Sequence, residues 1–169
     1  EVIRAITHDR FCLVEPTDIP SIGQLLVEMP LRSEEDYRAL RGQIRTIAQQ
    51  AGMDTTRAGD LVTAAAEAIT NAIKHGTDPR AEIWVGEDSV VVRVSDRGPG
   101  IRPEDIPSVL FRHGFSTKVS LGMGYTIMLE LADRLWLATS PAGTVLQLEK
   151  RVRPELEPEG FLPVAWEKL

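Results

Sequence analysis

Cysteine is almost missing: Cys12 is the only one in 169 residues. A single thiol builds neither a disulfide framework nor a thiolate zinc centre, a usage that fits the reducing cytoplasm. Basic clusters are missing too. With 19 Lys and Arg against 25 Asp and Glu, the formal net charge is −6, and no run of cations offers the phosphate-neutralising face that a nucleic-acid binder needs. No apolar run reaches the ~20 residues that span a bilayer, and no secretory signal is visible, so no membrane role is expected. Several nucleotide signatures are absent. No glycine precedes a Gly-Lys-Ser/Thr at Walker A spacing, no third glycine completes a dinucleotide fingerprint, and His8-Asp9-Arg10 has the wrong order for a eukaryotic-type kinase loop. The chain opens on Glu1 rather than Met, as a piece of a longer protein would.

What is there is globular in balance, 43% hydrophobic and 26% charged, and long enough for one domain with a real core. Arg10 to Val14 reads as a short strand, and Ile19 to Met29 as a short amphipathic helix ending at Pro30. Ser33 followed by Glu34-Glu35-Asp36 marks a helix start, and Tyr37, Leu40, Ile44, Ile47 and Ala51 follow at helical spacing before Gly52. Asp54 caps a longer helix to about Lys74, with Gly76 as its stop. At ~100° per residue its apolar stripe is Ala58, Leu61, Val62, Ala65, Ile69 and Ala72, and its polar stripe Asp60, Thr63, Glu67, Asn71 and Lys74. Ala81–Val85 and Val90–Val94 are β-branched runs joined by a turn, hence a hairpin. Tyr125–Ala132 reads as helix, Leu135–Thr139 and Thr144–Leu148 as strands. We expect an N-terminal extension over 1–32, a core domain over 33–150, and an extended, acidic, Pro-rich tail over 151–169 whose apolar end docks on the domain or on a partner. No repeats occur.

The stretch from Val94 to Met128 carries two glycine corners. Asp96, ending an apolar strand, can accept a hydrogen bond from an exocyclic amine and so favour adenine over guanine, while Gly98 and Gly100 let the backbone turn. A strand-ending Asp-x-Gly turn is also common without any ligand. Gly122-Met123-Gly124 opens a helix whose free N–H groups would face an anion, with the hydroxyls of Ser116 and Thr117 and the cation Lys118 nearby. Alone, a Gly-x-Gly before a helix is weak evidence. A polar helix stripe is ordinarily only solvated, yet Glu67 and Asn71 lie one turn apart. A carboxamide oxygen suits Mg²⁺, and a neighbouring carboxylate can take a proton from an attacking hydroxyl.

Jointly these pieces resemble a known family. Glu67-Ala-Ile-Thr-Asn71-Ala-Ile-Lys74-His75-Gly76, Asp96-Arg-Gly98-Pro-Gly100, Gly122-Met123-Gly124 and Gly143-Thr144 stand in the order of the N-box, the glycine boxes and the closing pair of GHKL (Bergerat-fold) ATPases. The resemblance covers about Leu40 to Leu148 and is most similar to the bacterial anti-sigma and stress-switch serine kinases that phosphorylate STAS-domain antagonists. It implies a two-layer α/β sandwich with helices on one face of a mixed, largely antiparallel sheet. It implies ATP and Mg²⁺ as cofactors: Asn71 as the metal ligand, Glu67 as the general base, Asp96 on the adenine amine with Thr144 assisting through water. Lys74, His75, Gly98, Gly100, Ile101, Leu121, Gly122, Met123 and Gly124 would complete the nucleotide site, under a lid over Arg102–Leu121 that carries Ser116, Thr117 and Lys118. For His75 a structural role at the helix end stands equally open. The implied partners are a STAS-domain antagonist and a sigma factor or other signalling protein, with homodimerisation open. Two other readings stay open as well: an ATP-gated sequestration module without turnover, and the catalytic domain of a histidine kinase.

Overall fold

Ser33 and Asp54 start the two long helices as the sequence leads one to expect. The Ser33 hydroxyl accepts the N–H of Asp36 at 3.2 Å, and the Asp54 carboxylate accepts that of Arg57 at 2.7 Å, each satisfying a donor that the helix leaves unpaired. The computed structural model describes residues 7–106 and 120–154, with the backbone alone for Pro103 and 120–123. In it α1 spans Glu34–Gln50 and α2 Thr55–His75. The strands are β1 Phe11–Leu13, β2 Gln24–Pro30, β3 Arg80–Val85, β4 Ser89–Asp96, β5 Arg134–Ser140 and β6 Gly143–Arg151, with α3, Ser120–Leu131, ahead of β5.

These strands form one sheet in the order β1-β5-β6-β4-β3-β2. Only β1 and β5 run parallel, with Phe11 opposite Leu135, and the other neighbours are antiparallel. Strand alternation separates two faces. Toward the helices point Ile83, Val92, Val94, Leu135, Leu137, Leu146 and Leu148, which share one buried cluster with Leu40, Ile44, Leu61, Ile69 and Met128. On the other face Val91, Trp136, Ala138 and Gln147 are also buried, outside that cluster.

The second face is covered by the chain between β1 and β2, which occupy opposite edges of the sheet. The N–H of Val14 bonds to the carbonyl of Leu137 at 2.9 Å. Ile19 is buried, and the Pro20 carbonyl accepts from Gln147 Nε2 at 2.9 Å and Arg93 Nη2 at 3.3 Å. Gly23, with φ of 76°, comes so close to the Val85 carbonyl that a Cβ there would sit 2.0 Å from its oxygen. This overturns the expected helix over Ile19–Met29. Pro20 and Gly23 break any such helix, and the apolar residues after them belong to a strand whose partner is β3, with a bulge between Leu25 and Val27. Val27 and Met29, two apart, are the residues that reach the core, and over so short a run a period of 2 passes for 3.6.

The helix after the second glycine corner also starts earlier than expected, at Ser120, so Gly122-Met123-Gly124 lies within its first turns. Its C-terminal end is held by cations from distant segments. The Arg10 guanidinium bonds to the carbonyls of Leu129 and Ala132, and the buried ammonium of Lys150 to that of Leu131. Both satisfy orphan carbonyls at the negative end of the helix. Residues 1–6 and the part of the expected tail over 155–169 lie outside the described residues.

Ile44 is fully buried on α1 within the single helix-facing cluster. Ile44→Ala is expected to lower the unfolding free energy by about 2–5 kcal/mol, read from the midpoint of a denaturant titration with the slope unchanged.

Candidate functional site

The C-terminal half of α2, the ends of β4 and β6 and the start of α3 enclose a pocket of about 220 Å³. Its walls are largely apolar, Ala68 and Ala72 from α2 and Val94 and Leu146 from the sheet, with polar groups at Asn71, Asp96, Tyr125 and Thr144. That balance is typical of a small-molecule site, where apolar surface gives affinity and a few polar atoms fix orientation.

The Asp96 end is built by close backbone approach. Asp96 ends β4 and pairs in register with Thr144 of β6, and its Oδ1 accepts the Gly98 N–H at 2.8 Å. Burial raises its pKa above the ordinary carboxylate value, and the Gly98 N–H acts in the opposite sense. A Cβ on Gly76 would lie 2.3 Å from the Asp96 carboxyl carbon, and one on Gly98 would lie 2.6 Å from the Gly76 Cα. The sequence suggests Gly76 as a helix stop. Its φ of −101° is open to any residue, so space, not conformation, demands glycine there. Gly100 is different: φ is 76°, and a Cβ would meet the Ser140 carbonyl oxygen at 2.2 Å. Thr139 holds this corner to the sheet, accepting the Ile101 N–H at 2.8 Å and sharing a hydrogen bond of 2.9 Å with the Thr144 hydroxyl.

At the other end α3 lies against the stripe of α2 read in the sequence as polar. A Cβ on Gly124 would stand 3.2 Å from Glu67 Oε2 and 3.3 and 3.4 Å from Asn71 Nδ2 and Oδ1. Glycine therefore brings the α3 backbone directly onto these two side chains. Asn71 is only 8% exposed: α3 covers that part of the polar stripe, while Thr63 and Lys74 stay exposed. Neither polar atom of its carboxamide has a hydrogen-bond partner among the described residues. Leaving such a group buried and unmet costs about 1–3 kcal/mol, a cost a ligand at this spot would relieve. Among the described residues no three His, Cys, Asp or Glu gather to hold a metal. A dication here would take the Asn71 oxygen and otherwise rely on a ligand's oxygens, the way Mg²⁺ is commonly held on phosphates.

Of the residues singled out in the sequence, Asn71, His75, Asp96, Gly100, Ile101 and Thr144 line the pocket. Gly98 lies under Asp96, and Glu67 and Gly124 meet beside Asn71. Lys74 is exposed and is not part of the lining. Leu121, Gly122 and Met123 belong to the first turn of α3, and Ser116, Thr117 and Lys118 lie outside the described residues. Tyr125 and Thr139 escaped the sequence reading. The position of Tyr125, directly after Gly124, could have flagged it, whereas Thr139 looks like any strand threonine.

A family model described as "Histidine kinase-like ATPase domain" matches residues 30–150. The anti-sigma F factor of Thermoanaerobacter sp. (strain X514) is 29% identical over 131 residues, covering 72% of this chain and 90% of that protein. That of Bacillus subtilis (strain 168) is 36% identical over 104 residues, covering 55% and 68% respectively. Among solved structures, the RsbU and RsbW domains of a Mycobacterium tuberculosis protein share the fold at a TM-score of 0.52 and 21% identity, across 74% of this chain but only 31% of that one.

Because burial raises the Asp96 pKa, the ionised carboxylate costs the ligand-free fold stability. The cost is absent below the unfolded-state pKa and grows as pH rises through the folded one. Asp96→Asn keeps an acceptor for Gly98 and removes that cost. Its unfolding midpoint is therefore expected to equal or exceed the parent's at pH 7, with the margin shrinking in acid, by thermal melts across pH.

Proposed function

The chain belongs to the histidine kinase-like ATPase domain family, and we propose that within it the chain is an ATP- and Mg²⁺-dependent protein serine/threonine kinase of the partner-switching type. Its protein substrate would be a STAS-domain antagonist and its regulatory target a sigma factor, in keeping with relatives named anti-sigma F factor. The observation that carries this reading is the meeting of Glu67 and Asn71 with Gly124 at one end of a pocket whose other end is Asp96.

In this reading the adenine lies between the apolar walls with its amine on Asp96, and the phosphates extend toward Gly124. The bound Mg²⁺ would supply charge neutralisation on the phosphates. Asn71 would hold it through the carboxamide oxygen. Glu67 would accept the proton of the substrate hydroxyl as its oxygen bonds to the γ-phosphorus and the bond to the departing ADP oxygen breaks. Catalysis of this kind is mostly positioning and electrostatics, and the residues that do it here sit on α2, packed against the core, rather than on a loop. The relatives' name also favours a second reading, sequestration of a sigma factor without phosphate transfer, in which the same pocket senses ATP.

The two readings part on Glu67→Ala. A kinase keeps ATP affinity in this variant while transfer to the partner falls about 10²–10⁴-fold, the usual worth of a general base. Calorimetry measures the first quantity and mass spectrometry of the partner's phosphoserine or phosphothreonine the second. Normal transfer by the variant removes Glu67 from the base role, and no phosphate on the partner with the unmodified protein points to sequestration. Phosphohistidine, recognised by its acid lability, would point to a histidine kinase.

A further inference from the structure

Tyr125 combines features that its place in the motif does not explain. It directly follows Gly124, is only 2% exposed, and still lines the pocket beside Asp96 and Thr144. Burial, and secondly the charge of Asp96, raise the pKa of its phenol, so the hydroxyl keeps its proton at physiological pH. No hydrogen bond from a described residue engages it. The hydroxyl of Thr144, in contrast, shares a hydrogen bond of 2.9 Å with that of Thr139.

We propose that Tyr125 is a base-reading residue: its hydroxyl donates to a ring nitrogen flanking the exocyclic amine that Asp96 accepts, so the pocket reads two adjacent positions of the purine. This rests on the nucleotide reading above and adds to Asp96 a second determinant of base specificity. Adenine carries an amine donor with bare acceptor nitrogens, N1 and N7, on either side. Guanine and hypoxanthine carry a carbonyl acceptor there, with N–H at N1. An acceptor carboxylate beside a donor phenol matches the first pattern, and against the second the carboxylate faces a carbonyl oxygen. A site built to pair a polar group rejects the analogue that leaves it unpaired far better than an apolar wall does.

The test is Tyr125→Phe, which keeps the ring and removes only the hydroxyl, with a thermal melt confirming that the variant is folded. ATP, 1-deaza-ATP, 7-deaza-ATP and GTP are titrated into the unmodified protein and the variant by calorimetry. The variant is expected to bind ATP about three- to tenfold more weakly, as for loss of one neutral hydrogen bond. That loss should vanish for whichever deaza analogue lacks the accepting nitrogen, and the preference for ATP over GTP should narrow. Equal loss with every nucleotide, or none with ATP, overturns the role of Tyr125 and leaves the nucleotide site standing. If the unmodified protein binds no ATP, the nucleotide reading falls and this inference with it.

Discussion

The architecture of the site depends on one steric constraint: the end of α2 must lie directly on the corner that follows β4. Gly76 and Gly98 meet there with no room for a methyl group on either, and the Asp96 side chain is pressed between them. Because α2 is one rigid rod, fixing its C-terminal end on this corner also fixes where Glu67 and Asn71 stand, some two turns back. The distance between the two ends of the pocket is thereby set by the pitch of a helix and not by a loop. Were the corner to open, the Asp96 end and the Asn71 end would separate together.

A second glycine contact completes the arrangement from the other side. Gly124 lets α3 approach Glu67 and Asn71 closely enough to bury a carboxamide that nothing among the described residues satisfies. Natural interiors rarely tolerate such groups. This fold carries one in the same pocket as a desolvated carboxylate, Asp96, and perturbed or unmet polar groups that share a cleft are the physical mark of a binding site. The anchoring of α3 at its opposite end by Arg10 and Lys150 leaves its N-terminal turns as the end that faces the pocket.

How much of this was legible in the sequence follows from how local each cause is. The caps at Ser33 and Asp54, the stripes of α1 and α2 and the β3–β4 hairpin are written within a few residues and could be read directly. The order of the glycine corners and of Glu67 and Asn71 could be read only as a joint pattern. Burial of Asn71 could not, since it is α3, fifty residues on, that turns a solvated stripe into an interior one. Gly76 does end α2, as its position in the sequence suggests, but its steric role could not be read there, because its partner Asp96 lies twenty residues away. The strand at Gln24–Pro30 was missed because its partner strand, not its own propensity, decides its conformation.

That strand and the segment before it show why the described residues ahead of the matched 30–150 span belong to the fold: β1 and β2 form the two edges of its sheet. A two-layer sandwich leaves one sheet face without helices, and here that face carries Trp84 and Trp136 with Arg93 and Arg134 stacked on them at 5.3 and 5.6 Å. Exposed, it would be a large apolar patch. The chain instead crosses from one edge to the other over it, placing Ile19 against the sheet and giving the Pro20 carbonyl to both Gln147 and Arg93. Gln147 and Arg93 pair across β6 and β4, three residues before Asp96 on β4 and three after Thr144 on β6. The segment that seals the outer face is thus bonded to the same two strands that deliver the Asp96 end of the pocket, which ties the cover of one face to the chemistry of the other.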